Sequence, residues 1–138
     1  MHESLLKPIV ETSYLNAQNV GRYRCIMRYF YDQHQRLRYW LKPQEVFDGV
    51  TALGLLDEDY TLDQCQKDLN QLVEWANLVP RHDGGRSATV EEYLRKKFRY
   101  QMTPYAVEIE RLVSGLEKIR GYGGSLEPSL FESIAGSL

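Results

Sequence analysis

The chain has 138 residues, 43% of them hydrophobic and 26% charged, which suits one folded unit with a single core. Lys and Arg number 17 against 19 Asp and Glu, a net charge of −2, so any attraction to nucleic acid or anionic membrane has to be local. Met1 to Tyr14 mixes charged and apolar residues without a signal-peptide core, no apolar run is long enough to cross a bilayer, and the expectation is a chain that stays in the cytoplasm.

Asn16 is a good N-cap, with Leu15 and Val20 at hydrophobic-staple spacing, and it predicts the opening of a long first helix. Val20, Tyr23, Met27, Phe30, His34, Leu37 and Leu41 then recur at three- and four-residue steps, one apolar face over about six or seven turns. The other face is basic and aromatic. It carries Arg22, Arg24, Arg28, Arg36 and Arg38 among Tyr29, Tyr31, Tyr39 and Trp40, a mixture suited to polar interfaces.

Pro43 is pre-set for the first turn of a second helix, in which Val46, Val50 and Leu53 share a face, Gly49 weakens the helix and Gly54 offers a left-handed stop. Thr61 and Gln64 form a capping-box pattern for a third helix that buries Leu62, Cys65, Leu69, Leu72, Val73 and Ala76 and ends near Asn77. Its exposed positions include Asp63, Asp68 and Glu74 against Lys67 alone, a negative face that argues against insertion into a DNA groove.

Leu78 to His82 reads as a strand that Pro80 confines to a sheet edge, followed by turn residues Asp83, Gly84 and Gly85. Residues 90–97 allow one or two helical turns, and Phe98 to Met102 alternates as a returning strand. Between positions 81 and 99, Arg81, Arg86, Arg95, Lys96, Lys97 and Arg99 outnumber three acids. This basic wing reads either as a phosphate-contacting patch or as a solvated loop face.

Thr103 caps and Pro104 opens a last helix, in which Tyr105, Ile109, Leu112, Leu116 and Ile119 follow a four-three-four-three seam. Such a seam packs lengthwise on another helix, inside the monomer or in a second copy. The fold expected is mainly α: a winged-helix domain over residues 1–120 with a long first helix, a small two-stranded wing and a closing helix. A flexible linker over 121–129 and the start of a further helix over 130–138 follow.

Catalysis finds no support. Cys25 and Cys65 fall on apolar stripes, His34 lies on an apolar face, and His2 and His82 lack metal-ligand spacing. Gly84-Gly85 lacks the flanking elements and Lys of a phosphate-cradling loop, and Asp57, Glu58 and Asp59 read as a loop. The chain is therefore expected to be no enzyme, to have no catalytic or metal site, and to need no cofactor or small-molecule substrate.

The stretch from Tyr23 to Tyr31, with Leu37 to Leu41, Pro43, Glu45, Val46, Phe47 and Phe98 to Pro104, resembles the N-terminus of the JetA family, the kleisin-like subunits of bacterial Wadjet plasmid-defence systems. Ala106 stands where that pattern leads to glycine. The resemblance implies a structural domain of a condensin-like SMC complex similar to MukBEF, nucleoid- or plasmid-associated. Its partners would be an SMC ATPase and a small tandem winged-helix (KITE-type) subunit. DNA loop extrusion is driven by the ATPase, and cleavage is left to a separate nuclease. By analogy with MukF, the domain would homodimerise to pair two motor units. Candidate interface residues are Arg28, Tyr29, Tyr31, Arg36, Tyr39 and Trp40 on the first helix, favoured for their aromatic and arginine density, and Leu112, Leu116 and Ile119 on the last. The alternative is a winged-helix DNA-binding protein that contacts phosphates non-specifically through the basic wing.

Overall fold

The structure is a computed structural model and describes residues 2–82 and 98–122. Two short 3-10 helices, His2–Leu6 and Val10–Leu15, lead into α1 (Val20–Gln35), α2 (Pro43–Thr51) and α3 (Leu62–Glu74). Strands β1 (Leu78–His82) and β2 (Phe98–Met102) follow, and then α4 (Pro104–Tyr122). The described chain is mainly helical with a two-stranded antiparallel sheet.

Helix α1 is central, touching α2, α3, β2, α4 and the second 3-10 helix. It buries Tyr23, Ile26, Met27, Phe30 and Gln33 at the expected helical steps. Both of its ends differ from expectation. Asn16 closes the preceding 3-10 turn, its N–H reaching the Ser13 carbonyl, and α1 opens only after Asn19. At the other end α1 stops at Gln35, because the N–H groups of Leu37 and Arg38 turn back to the carbonyls of His34 and Gln33 at 3.0 and 2.9 Å. Leu37 takes a left-handed φ of 66° to close this motif.

The chain beyond it is extended. Leu41 exchanges two 2.9 Å backbone hydrogen bonds with Tyr100 and is fully buried, so it joins the core as a strand residue. Leu37, counted with it on one helical stripe, is left 74% exposed. Pro43 explains the change of state, since the residue before a proline is driven out of the helical region; Lys42 has ψ of 151°.

In α2, Val46 and Val50 are buried, whereas Leu53 lies beyond the last turn and is exposed, followed by Gly54 at φ 71°. Gly49 lies under the Tyr29 ring: a Cβ there would stand 2.2 Å from a ring carbon. Helix α3 has the expected reciprocal cap, Gln64 N–H to Thr61 Oγ1 at 3.2 Å and Thr61 N–H to Gln64 Oε1 at 3.0 Å. It buries Cys65, Leu69 and Leu72 but leaves Leu62 exposed and Val73 and Ala76 half-buried. It ends as α1 does, with Ala76 at φ 61° and the Asn77 N–H on the Leu72 carbonyl at 2.8 Å.

In the sheet, Leu78 pairs with Met102, Pro80 with Tyr100 and Arg81 with Arg99. Pro80 sits in the outer strand, because Leu41 occupies the far side of β2. Thr103 caps α4 through the Ala106 N–H at 3.2 Å, and Ala106 is fully buried. The helix continues through Gly121 and Tyr122, residues assigned to the linker on sequence; glycine disfavours a helix but does not by itself end one. The turn at 83–85, the helical turns expected in 90–97 and the rest of the 121–138 tail lie outside the described residues.

Candidate functional site

The arginines of α1 are engaged within the monomer. Arg22 grips Asp68 of α3 with Nε to Oδ2 at 3.0 Å and Nη2 to Oδ1 at 2.9 Å, and the Tyr60 hydroxyl donates to the same carboxylate at 2.8 Å. Asp68 is therefore buried, which corrects its expected place on the solvent face of α3; a bidentate guanidinium and a phenol replace the water it loses. The exposed face of α3 keeps Asp63 and Glu74 against Lys67.

One helical face further along, Arg28 donates from Nε to Glu110 at 3.0 Å and from Nη1 and Nη2 to Glu117 at 2.8 and 2.9 Å. Arg24 also pairs with Glu117. Tyr14 donates its hydroxyl to the other oxygen of Glu110 at 2.5 Å, and both residues are buried. The hydrogen bonds that Arg28 donates hold the Glu117 carboxyl below its ordinary range, and donating to Glu117 and Glu110 raises the guanidinium of Arg28. Two carboxylates, each with a tyrosine and an arginine, thus bolt α1 to α3 on one side and to α4 on the other.

The aromatic candidates divide. Tyr29 packs on Gly49 and Tyr31 is half-buried against the core, so with Arg28 they serve contacts inside the monomer. Arg36, Tyr39 and Trp40 stay at the surface beyond α1. Tyr39 meets His34 edge-on at 5.0 Å, Trp40 lies under the Arg81 guanidinium at 5.4 Å, and Arg38 pairs with Gln33 and Glu45.

The seam of α4 is on the outside. Ala106, Glu110 and Val113 form its buried face, while Tyr105, Leu112, Leu116 and Ile119 are between 46 and 64% exposed; only Ile109 packs against the core. Charge pairing sets this rotation: the acids Glu110 and Glu117 must face Arg24 and Arg28, and the apolar stripe lies to one side of them. The sequence did hold a clue in two matched spacings, Arg24 and Arg28 one turn apart and Glu110 and Glu117 two turns apart, each pair on one helix face. Tyr14 carried no such signal.

Of the basic wing, Arg81 and Arg99 sit directly opposite each other, whereas Arg86, Arg95, Lys96 and Lys97 lie outside the described residues. Cys65 is buried and free, its thiol pushed up to about 11 by desolvation, and Cys25 is half-buried and raised by the same cause. Among the described residues no group of three His, Cys, Asp or Glu side chains is placed to hold a metal ion, and no helix is long and apolar enough to cross a membrane.

A family model described as protein of unknown function (DUF2397) matches residues 12–138. The chain belongs to the DUF2397 family. No curated protein and no solved structure matches it. The match begins just before Tyr14, so both bolted carboxylates and the exposed α4 seam of this DUF2397 domain fall within it.

Proposed function

We propose that this DUF2397 domain is an interaction module that self-associates through the exposed stripe of α4. It would serve as a winged-helix, kleisin-type N-terminal domain of a JetA-like subunit in a condensin-like plasmid-defence complex. The observation that carries the reading is the exposure of Tyr105, Leu112, Leu116 and Ile119 on a helix whose opposite face is fixed by charge pairs. A contiguous apolar stripe at seam spacing marks a contact surface. The stripe is also self-complementary: Tyr105 and Ile119 each lie seven residues from Leu112, so an antiparallel pairing about Leu112 sets Tyr105 against the second copy's Ile119.

Two features support the winged-helix part. The order of three helices, two strands and a closing helix is that of the motif, and Leu41, between the first two helices, makes a single-residue antiparallel bridge to β2. The resemblance of the Tyr23 to Tyr31 stretch to JetA-type kleisins supplies the biological setting, with an SMC ATPase and a KITE-type subunit as partners.

Light scattering across a dilution series tests the contact. The parent chain is expected to be a dimer that dissociates on dilution, and Leu112→Glu with Leu116→Glu is expected to give a monomer with an unchanged circular dichroism spectrum. A parent that is monomeric throughout, or a variant that still dimerises, overturns it.

A further inference from the structure

The exposed stripe of α4 has two different flanks. At about 3.6 residues per turn, Ile109 and Leu116 lie on the side toward the buried Ala106 and Val113. On the other side Glu108, Arg111, Gly115 and Lys118 follow one another at steps of three, four and three residues, a polar row beside Tyr105, Leu112 and Ile119. Glu108 and Arg111 pair with each other yet keep 68 and 59% of their side chains exposed, and Lys118 is exposed too.

Gly115 stands out in this row. It lies in the interior of a 19-residue helix, where glycine is less favourable than any residue except proline. Gly54, not Gly115, has the left-handed φ that calls for glycine, and a Cβ at 115 would meet no atom of the described residues within 4 Å. The monomer therefore gives no reason for it. A facing helix does: with Leu112, Leu116 and Ile119, Gly115 completes the four-residue hole of spacing i, i+3, i+4 and i+7 into which a partner's side chain packs, and the missing Cβ lets that partner approach closely.

The charges of the row select the direction of that helix. In an antiparallel pair related by a two-fold axis, each polar row lies along the other. With Leu112 at the two-fold, Glu108 of the second copy comes opposite Leu116, beside Gly115 and between Arg111 and Lys118, only about 3 Å along the helix from Lys118. Symmetry repeats the pairing at the other end. A parallel pair instead lays the polar row against the apolar flank, which sets Glu108 against Ile109.

We infer that the second copy seats antiparallel on α4, with Gly115 as the point of close approach and an intermolecular pair of Glu108 with Lys118 setting direction and register. This rests on the self-association proposed above and assigns the residues that specify it.

The test is the dissociation constant of the full 138-residue chain, measured by sedimentation equilibrium. Gly115→Ala is expected to raise the melting temperature of the monomer, because alanine favours the helix and its methyl group has room, yet to weaken the dimer about tenfold by filling the space of the facing side chain. Glu108→Lys and Lys118→Glu are each expected to weaken it about threefold, as two exposed pairs become like-charged. Mixing these two variants is expected to restore the affinity of the parent in a heterodimer, since positions 108 and 118 are too far apart on one helix to meet except across copies. A parent that stays monomeric overturns the self-association and this seating with it. A dimeric parent whose Gly115→Ala variant dimerises as tightly, or whose two charge variants associate no better mixed than alone, overturns the antiparallel seating and leaves self-association standing.

Discussion

The hydroxyl of Tyr14, in a 3-10 turn ahead of the first long helix, donates a 2.5 Å hydrogen bond to Glu110, a fully buried acid near the middle of the last. Arg28 reaches the other oxygen of that carboxylate from α1. Three segments far apart in the chain thus converge on one buried charge, and the orientation of α4, with its apolar stripe outward, depends on it.

Tyr14→Phe keeps the ring in the core and removes only the donor. Leaving a buried carboxylate short of one partner costs about 1–3 kcal/mol. Urea denaturation of the variant should show a lower midpoint with an unchanged slope. A midpoint equal to that of the parent would mean that Arg28 alone satisfies Glu110.

Stability should fall at both ends of the pH scale. Burial, followed by the hydrogen bond to Glu110, holds the Tyr14 phenol well above its ordinary range, and burial does the same for Tyr60. Above about pH 10 the unfolded chain releases these protons while the folded chain keeps them, so stability is full below that value and is lost as pH rises. At the acid end, Glu117 is held low by Arg28, so its contribution is present above the unfolded carboxylate value of about 4.3 and is lost as pH falls through the folded value. Melting temperatures across pH check both arms: Tyr14→Phe with Tyr60→Phe should flatten the alkaline fall, and Glu117→Gln the acid one.

Two substitutions should act against simple helix propensity. Leu37 sits at a left-handed φ with its side chain in solvent, so Leu37→Gly removes strain of about 1–2 kcal/mol. The extra freedom of the unfolded glycine returns about 0.4–1 kcal/mol of that gain. The melting temperature should therefore rise. Gly49→Ala, a favourable change in an open helix, should instead destabilise by about 1–3 kcal/mol, because its Cβ meets the Tyr29 ring. Combining it with Tyr29→Ala should cost less than the sum of the single changes. Additive effects would show that ring and glycine do not share one space.

Local chemistry was legible from the sequence. The capping box at Thr61 and Gln64 and the Pro104 helix start depend on residues near one another in the chain, and both are present; the strands Leu78–His82 and Phe98–Met102 also form as their residue patterns lead one to expect. A seam on α4 was legible too, as spacing, but not the side of the helix it would occupy.

That side was decided by tertiary structure. Hydropathy sends Leu112 inward and Glu110 outward, yet Arg28 and Tyr14, remote in sequence, supply the partners that make the acid the cheaper group to bury. Asp68 is drawn in by Arg22 and Tyr60 for the same reason. The switch of Leu41 from helical stripe to an extended residue bridged to Tyr100 required β2 beside it. Periodicity within a segment determined the elements of this protein. Pairing of charge and backbone across segments determined which of their faces meet solvent.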